Sequence, residues 1–131
     1  MTKHRNDWEQ YFQSLNLEGR AFIDGEYRWA ASGETFDSIS PVDGRFLAKV
    51  ASTDEADADA AVLAARRAFE SGTWRLQAPA ARKRVLIRFA DLILEHQEEL
   101  ALLETLDMGK PIGDSMAIDV PATANAIRWN A

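Results

Sequence analysis

The sequence contains no cysteine. It can therefore form no disulfide, offer no thiolate to a soft metal and supply no cysteine nucleophile. There are two histidines, and His96 stands beside Gln97 and Glu98 with no second histidine or cysteine close by, which argues against a ligand role. The seven glycines include no Gly-x-Gly pair, so the dinucleotide-binding fingerprint is missing. Gly109-Lys110 is followed by proline and has Glu104 where a phosphate loop needs glycine. No Ser-His-Asp set or two-histidine metal motif is recognisable. Positive charge is also scarce, with 15 basic against 21 acidic residues and a net charge of −6, which disfavours a nucleic-acid partner. No apolar run is long enough to span a membrane, and residues 1–8 lack the apolar core of a signal peptide. A cytoplasmic protein with no membrane partner is the resulting expectation.

What is present is organised around residues 100–111. Leu100, Leu103 and Leu106, with Ile93 and His96 further back, recur at three- and four-residue steps, which predicts a helix with one core-facing stripe. Gly109 can take the left-handed conformation that closes a helix, Lys110 suits the negative pole of its dipole, and Pro111 cannot continue it. Asp107 is out of place there. A carboxylate in a last turn faces the carbonyl end of the dipole, so a cation or a hydrogen-bonding neighbour should compensate it.

The remainder of the 131 residues predicts an α/β chain in which two β-hairpins precede several helices. Residues 1–19 form a terminal arm in which Trp8, Tyr11, Phe12 and Leu15 fit a short amphipathic helix, the alternative being a frayed terminus. Over residues 20–51, Asp24-Gly25, Ser32-Gly33 and Asp43-Gly44 separate short apolar runs, the pattern of consecutive hairpins making one small sheet that must lie on another element. Residues 52–131 read as helices. Ser52 with Glu55 gives a capping-box start, and Asp54, Asp57 and Asp59 then serve mainly the helix dipole rather than a cation. Ala58, Val62, Ala65 and Phe69 are the predicted buried stripe, and Gly72 the stop. Pro79 opens the next helix, which runs to about Glu95; Arg82, Lys83, Arg84 and Arg88 form its solvated face opposite Val85, Leu86, Phe89, Leu92 and Ile93. An irregular or short helical link follows Pro111, and a last helix begins at Pro121. That helix has neither glycine nor polar cap at its end, so it is expected to be cut off at Ala131.

The stretch Leu-Glu-Thr-Leu-Asp-Met-Gly-Lys-Pro-Ile, residues 103–112, resembles the helix-ending motif in the N-terminal part of the NAD(P)-dependent aldehyde dehydrogenases. Further pieces match in the same order: Phe22-Ile23-Asp24-Gly25-Glu26-Tyr27, Ser32-Gly33-Glu34-Thr35-Phe36, Ser40-Pro41-Val42-Asp43-Gly44, Ala60-Ala61-Val62 with Ala68-Phe69 and Trp74, and Ile127-Arg128-Trp129. Within the family, the likeness is greatest to the branch that oxidises γ-glutamyl-γ-aminobutyraldehyde in putrescine breakdown.

The resemblance implies an enzyme that oxidises an aldehyde, γ-glutamyl-γ-aminobutyraldehyde or another ω-aminoaldehyde, to the acid with NAD or NADP, as a homo-oligomer. The family's cysteine nucleophile, glutamate base and oxyanion hole lie beyond Ala131, so no catalytic or cofactor-binding residue is carried over and the chain alone should be inactive. Two lesser sites are implied. Ser38 and Ile39, through their backbone carbonyls, and the Asp107 carboxylate match positions that hold a monovalent cation, the alternative being that Asp107 bonds neighbouring backbone N–H groups. Asp119, in the segment 119–122, matches the substrate tunnel, the alternative being a helix N-cap before Pro121. The rival to the enzyme reading is a standalone interaction protein.

Overall fold

The computed structural model describes residues 4–131; the first three residues of the expected arm lie outside the described residues. The arm is a helix, α1 (Arg5–Ser14), whose start is tied by the Asp7 carboxylate accepting the His4 N–H at 2.7 Å. Arg45 fastens it to the body. Both Arg45 Nη atoms donate to Glu9 at 2.7 Å, Nε donates to Asp43 at 2.6 Å, and the guanidinium lies 5.4 Å from the Phe12 ring centre. These bonds hold the Glu9 and Asp43 carboxyls below the usual carboxylate range.

Two hairpins follow. Strands β1 (Ala21–Ile23) and β2 (Glu26–Arg28) pair antiparallel around Asp24 and Gly25, whose φ values of 57° and 84° give the two-residue turn that matches strand twist. Strands β3 (Thr35–Ile39) and β4 (Phe46–Ala51) pair from Thr35↔Ala51 to Ile39↔Phe46, and a bulge at Ser38/Ile39 leaves Leu47 as the extra residue of β4. The expectation of one small sheet is corrected: these are separate two-stranded sheets. The 30–33 link does not continue a ladder because the Ala31 N–H is taken by Asp57, both of whose carboxylate oxygens lie 3.1 Å away.

That contact also changes the next helix. Its N-cap is Asp54 rather than Ser52, since the Ser52 N–H bonds the Glu34 carbonyl and keeps the chain extended. Helix α2 (Glu55–Ser71) starts with Asp54 accepting from Ala56 and Asp57, while Asp57 accepts from Asp54 N–H in return. Asp57 is buried and anchors the helix rotation. Asp57 and Ala64 face inward, so the predicted stripe turns outward and Val62 and Phe69 are 65% and 56% exposed. Gly72, at φ 76°, closes α2 as expected.

Helices α3 (Pro79–Glu95) and α4 (Gln97–Met108) meet at His96. Pro79 is at the start of α3 as foreseen. The apolar residues of α3 divide, however: Leu86 and Ile93 are half-buried, whereas Val85, Phe89 and Leu92 lie exposed beside Arg84 and Arg88. Helix α3 packs on α6, and each carries one fully buried alanine, Ala90 and Ala124. On α4 the predicted stripe holds at Leu106, which is buried, and at half-buried Leu103, while Ala101 and Leu102 are the further buried residues and Leu100 and His96 are exposed. Beyond Pro111 the expected link and last helix are one continuous run: α5 (Ile112–Asp114), a π-helical turn (Ser115–Asp119) and α6 (Val120–Trp129). Arg128 bonds Asp91 of α3 at 2.6 Å. At the end of α6 the Asn130 side-chain amide donates to the Ala126 carbonyl at 2.8 Å, and the Asn130 backbone is still right-handed, at φ −86° and ψ −2°. Among the described residues no helix is long and apolar enough to cross a membrane.

Removing Asp57 strands the Ala31 and Asp54 N–H groups, so Asp57→Ala is expected to cost about 2 kcal/mol of folding stability. Asp59→Ala, on the exposed face of the same turn, should change stability by less than about 0.5 kcal/mol. Denaturant unfolding of the two variants in the full-length protein checks the difference.

Candidate functional site

The end of α4 is where the sequence-derived site residues gather. Helix α4 stops because Gly109 turns left-handed at φ 78°, and its backbone lies so close to β3–β4 that a Cβ there would sit 3.2 Å from Pro41 Cγ. This close approach brings the Ser38 hydroxyl to Asp107, where it donates to Oδ1 at 3.1 Å. Ser38 thus supplies the neighbour that a carboxylate in a last turn calls for, from across the fold instead of from adjacent backbone. Ile39 follows Ser38 at the bulge and is exposed.

An open cleft of about 570 Å³ adjoins them, lined in part by Glu18, Ser38, Leu103, Glu104 and Asp107. Glu18 is already engaged: Arg20 donates to it through side chain and backbone, which holds its carboxyl down at about 2. Among the described residues no three His, Cys, Asp or Glu side chains are placed to hold a metal ion together.

Lys110, foreseen as a partner of the helix dipole, reaches across the turn and pairs with Asp119. Asp119 in turn is no N-cap. Its backbone, at φ −71° and ψ −51°, is helical and makes no cap bond, because the run from Ile112 to Trp129 is unbroken. The structure therefore brings Ser38 and Asp107 together, and holds Asp119 separately, half-buried beside Lys110 at the end of the π turn. Sequence reasoning missed the side chains that support this turn, Gln97, Thr105 and buried Ser115. A usable signal was present: Pro121 lies two residues past Asp119 inside a helical pattern, and such a proline needs a local change in the ladder.

Comparison with known proteins agrees with this architecture. Residues 28–131 match the model of the aldehyde dehydrogenase family. The chain belongs to that family. It is 52% identical over 128 residues to the NADP/NAD-dependent aldehyde dehydrogenase PuuC of Escherichia coli K12, covering 98% of this chain and 26% of that protein. Among solved structures, an indole-3-acetaldehyde dehydrogenase in apo form superimposes with a TM-score of 0.96 at 65% identity, covering 98% of this chain and 29% of that one. A γ-glutamyl-γ-aminobutyraldehyde dehydrogenase from Burkholderia cenocepacia gives 0.93 at 58% identity, covering 95% and 25%. The chain thus spans about a quarter of the length of these relatives.

The Lys110–Asp119 pair carries a pH signature. Asp119, accepting from the ammonium, raises the Lys110 pKa above its ordinary value. The pair's contribution is complete below about pH 10.4, the unfolded lysine value, and is lost as pH rises through the raised folded value. Lys110→Met should therefore unfold at lower temperature than the parent at pH 8, with the gap closing above about pH 10.5. Melting curves of the two full-length proteins across that range check it; a gap constant with pH would contradict the pairing.

Proposed function

We propose that this chain is the amino-terminal part of an NAD(P)-dependent aldehyde dehydrogenase that oxidises an aldehyde to the carboxylic acid. The observation that carries the reading is 52% identity with PuuC over nearly the whole chain, joined to a backbone that superimposes on solved aldehyde dehydrogenases. The relatives' names include both γ-glutamyl-γ-aminobutyraldehyde and indole-3-acetaldehyde, and the reading favours an ω-aminoaldehyde or its γ-glutamyl form, with Asp119, which shares its charge with Lys110, as the acidic residue of the proposed tunnel segment 119–122. In this reading residues 1–19 are a terminal arm, 20–51 the hairpins, and 52–131 helices packed around the nucleotide-binding domain of a cytoplasmic homo-oligomer.

The chain's own part is scaffolding and tunnel wall. It has no cysteine to attack a carbonyl and no glycine-rich turn to receive a dinucleotide, so no chemical step is assigned to its residues. The full-length protein should show aldehyde-dependent formation of reduced nicotinamide, and purified residues 1–131 none. Asp119→Ala in the full-length enzyme should raise KM about fivefold for amino-bearing aldehydes and less for neutral ones. Equal effects on both classes remove the tunnel role.

The backbone carbonyls of Ser38 and Ile39 with the Asp107 carboxylate are proposed as a monovalent-cation site; supporting the reading, Ser38 and Asp107 lie together at the negative pole of α4. Replacing K⁺ with a bulky organic cation should lower the melting temperature of the full-length enzyme, and Asp107→Asn should abolish that dependence. A melting temperature indifferent to K⁺ and Na⁺ discards the site.

A further inference from the structure

In an α-helix the residue four past Ser115 is Asp119, and both would face the same neighbour. Ser115 is fully buried, so plain continuation would carry a carboxylate into the core. The π turn inserts one residue into that spacing, with the Val120 N–H donating to the Ser115 carbonyl five residues back. Val120 takes the buried place, Ala124 follows four residues later, and Asp119 stays at the edge against Lys110. Pro121 favours the same outcome. It has no N–H to offer the Ala117 carbonyl, and its ring would crowd that carbonyl in a regular helix.

A π turn is rare and has poorer hydrogen-bond geometry than the α-helix around it, so it needs support. The support comes from α4 and its exit. Gln97 Nε2 donates to the Met116 carbonyl at 2.5 Å, Thr105 Oγ1 lies 3.4 Å from Ser115 Oγ, and Lys110 holds Asp119. Of these three contacts, only that of Gln97 reaches the backbone of the turn itself. Its amide satisfies a carbonyl inside the widened ladder, where an unpaired acceptor would favour a return to α spacing.

We propose that Gln97 is a positioning residue: by bonding the Met116 carbonyl it keeps residues 115–119 in the π form and so fixes which side chains of 116–122 face the aldehyde. The proposal rests on the reading of 119–122 as tunnel wall. Returning the turn to α spacing would rotate the side chains upstream of it by about 100° relative to α6, which replaces one set of lining groups by another.

The test uses the full-length enzyme. Gln97→Glu keeps the shape and loses the donor, whereas Gln97→Lys restores a donor of similar reach. Hydrogen exchange at the 116–120 amides should quicken about tenfold in Gln97→Glu and return towards the parent rate in Gln97→Lys. KM for the preferred aldehyde should rise about fivefold in Gln97→Glu with kcat within about twofold of the parent, and the lysine variant should recover it. A role in folding alone would instead reduce the active fraction, lowering kcat at constant KM. Unchanged exchange in Gln97→Glu overturns the support of the turn, and quickened exchange with unchanged KM overturns its effect on substrate. Failure of the parent enzyme to oxidise any aldehyde would overturn the functional reading beneath the proposal, and it is distinguishable because it shows before any substitution is made.

Discussion

Helix α4 ends because the backbone reverses its hand at Gly109, and the remaining structure depends on that turn. The left-handed turn there brings the chain against Pro41, and that approach sets Asp107 beside Ser38. One residue later Lys110 is directed back to Asp119, and two residues later Pro111 starts the run that returns along α4. Hairpin, central helix and final helix therefore meet at one backbone conformation that side chains rarely tolerate.

Much of this was legible in the sequence because it is local. Gly72 and Gly109 as helix stops, Pro79 as a helix start, and Asp24-Gly25 as a hairpin turn each follow from the backbone preferences of one or two residues. Faces were harder to read than ends. Alanine-rich α2 offers several apolar stripes of similar quality, and the choice among them is made by the Asp57 carboxylate bonding Ala31 N–H, a contact between residues 26 apart. The Ser52 start failed for a related reason, since the Glu34 carbonyl held that residue in the extended chain.

At the candidate site the same division holds. The anomaly of Asp107 was visible because a carboxylate at a helix C-terminus violates a simple electrostatic preference, and its partner Ser38 lies 69 residues away. Asp119 looked like an N-cap because a proline follows two residues later, a pattern that fits a helix start as well as it fits a π turn. Burial of Ser115 and Val120 five residues apart decides between the two, and burial is a property of the packed chain. These residues include neither a cysteine nor a Gly-x-Gly pair, and the role proposed for them is geometric. The exposed apolar side chains Val62 and Phe69 of α2, and Val85 and Phe89 of α3, are surface that a protein about four times longer is proposed to cover.

The dependence of the fold on the end of α4 is tested most directly by the thermal stability of the full-length protein carrying Gly109→Ala, set beside Gly113→Ala. At Gly109 a Cβ meets both a left-handed backbone and Pro41, whereas at Gly113, in α5, it meets open space. Gly109→Ala is expected to lose about 1–2 kcal/mol, and Gly113→Ala to lose nothing or gain up to about 1 kcal/mol. Equal stability of the two variants would contradict the central place given to the end of α4.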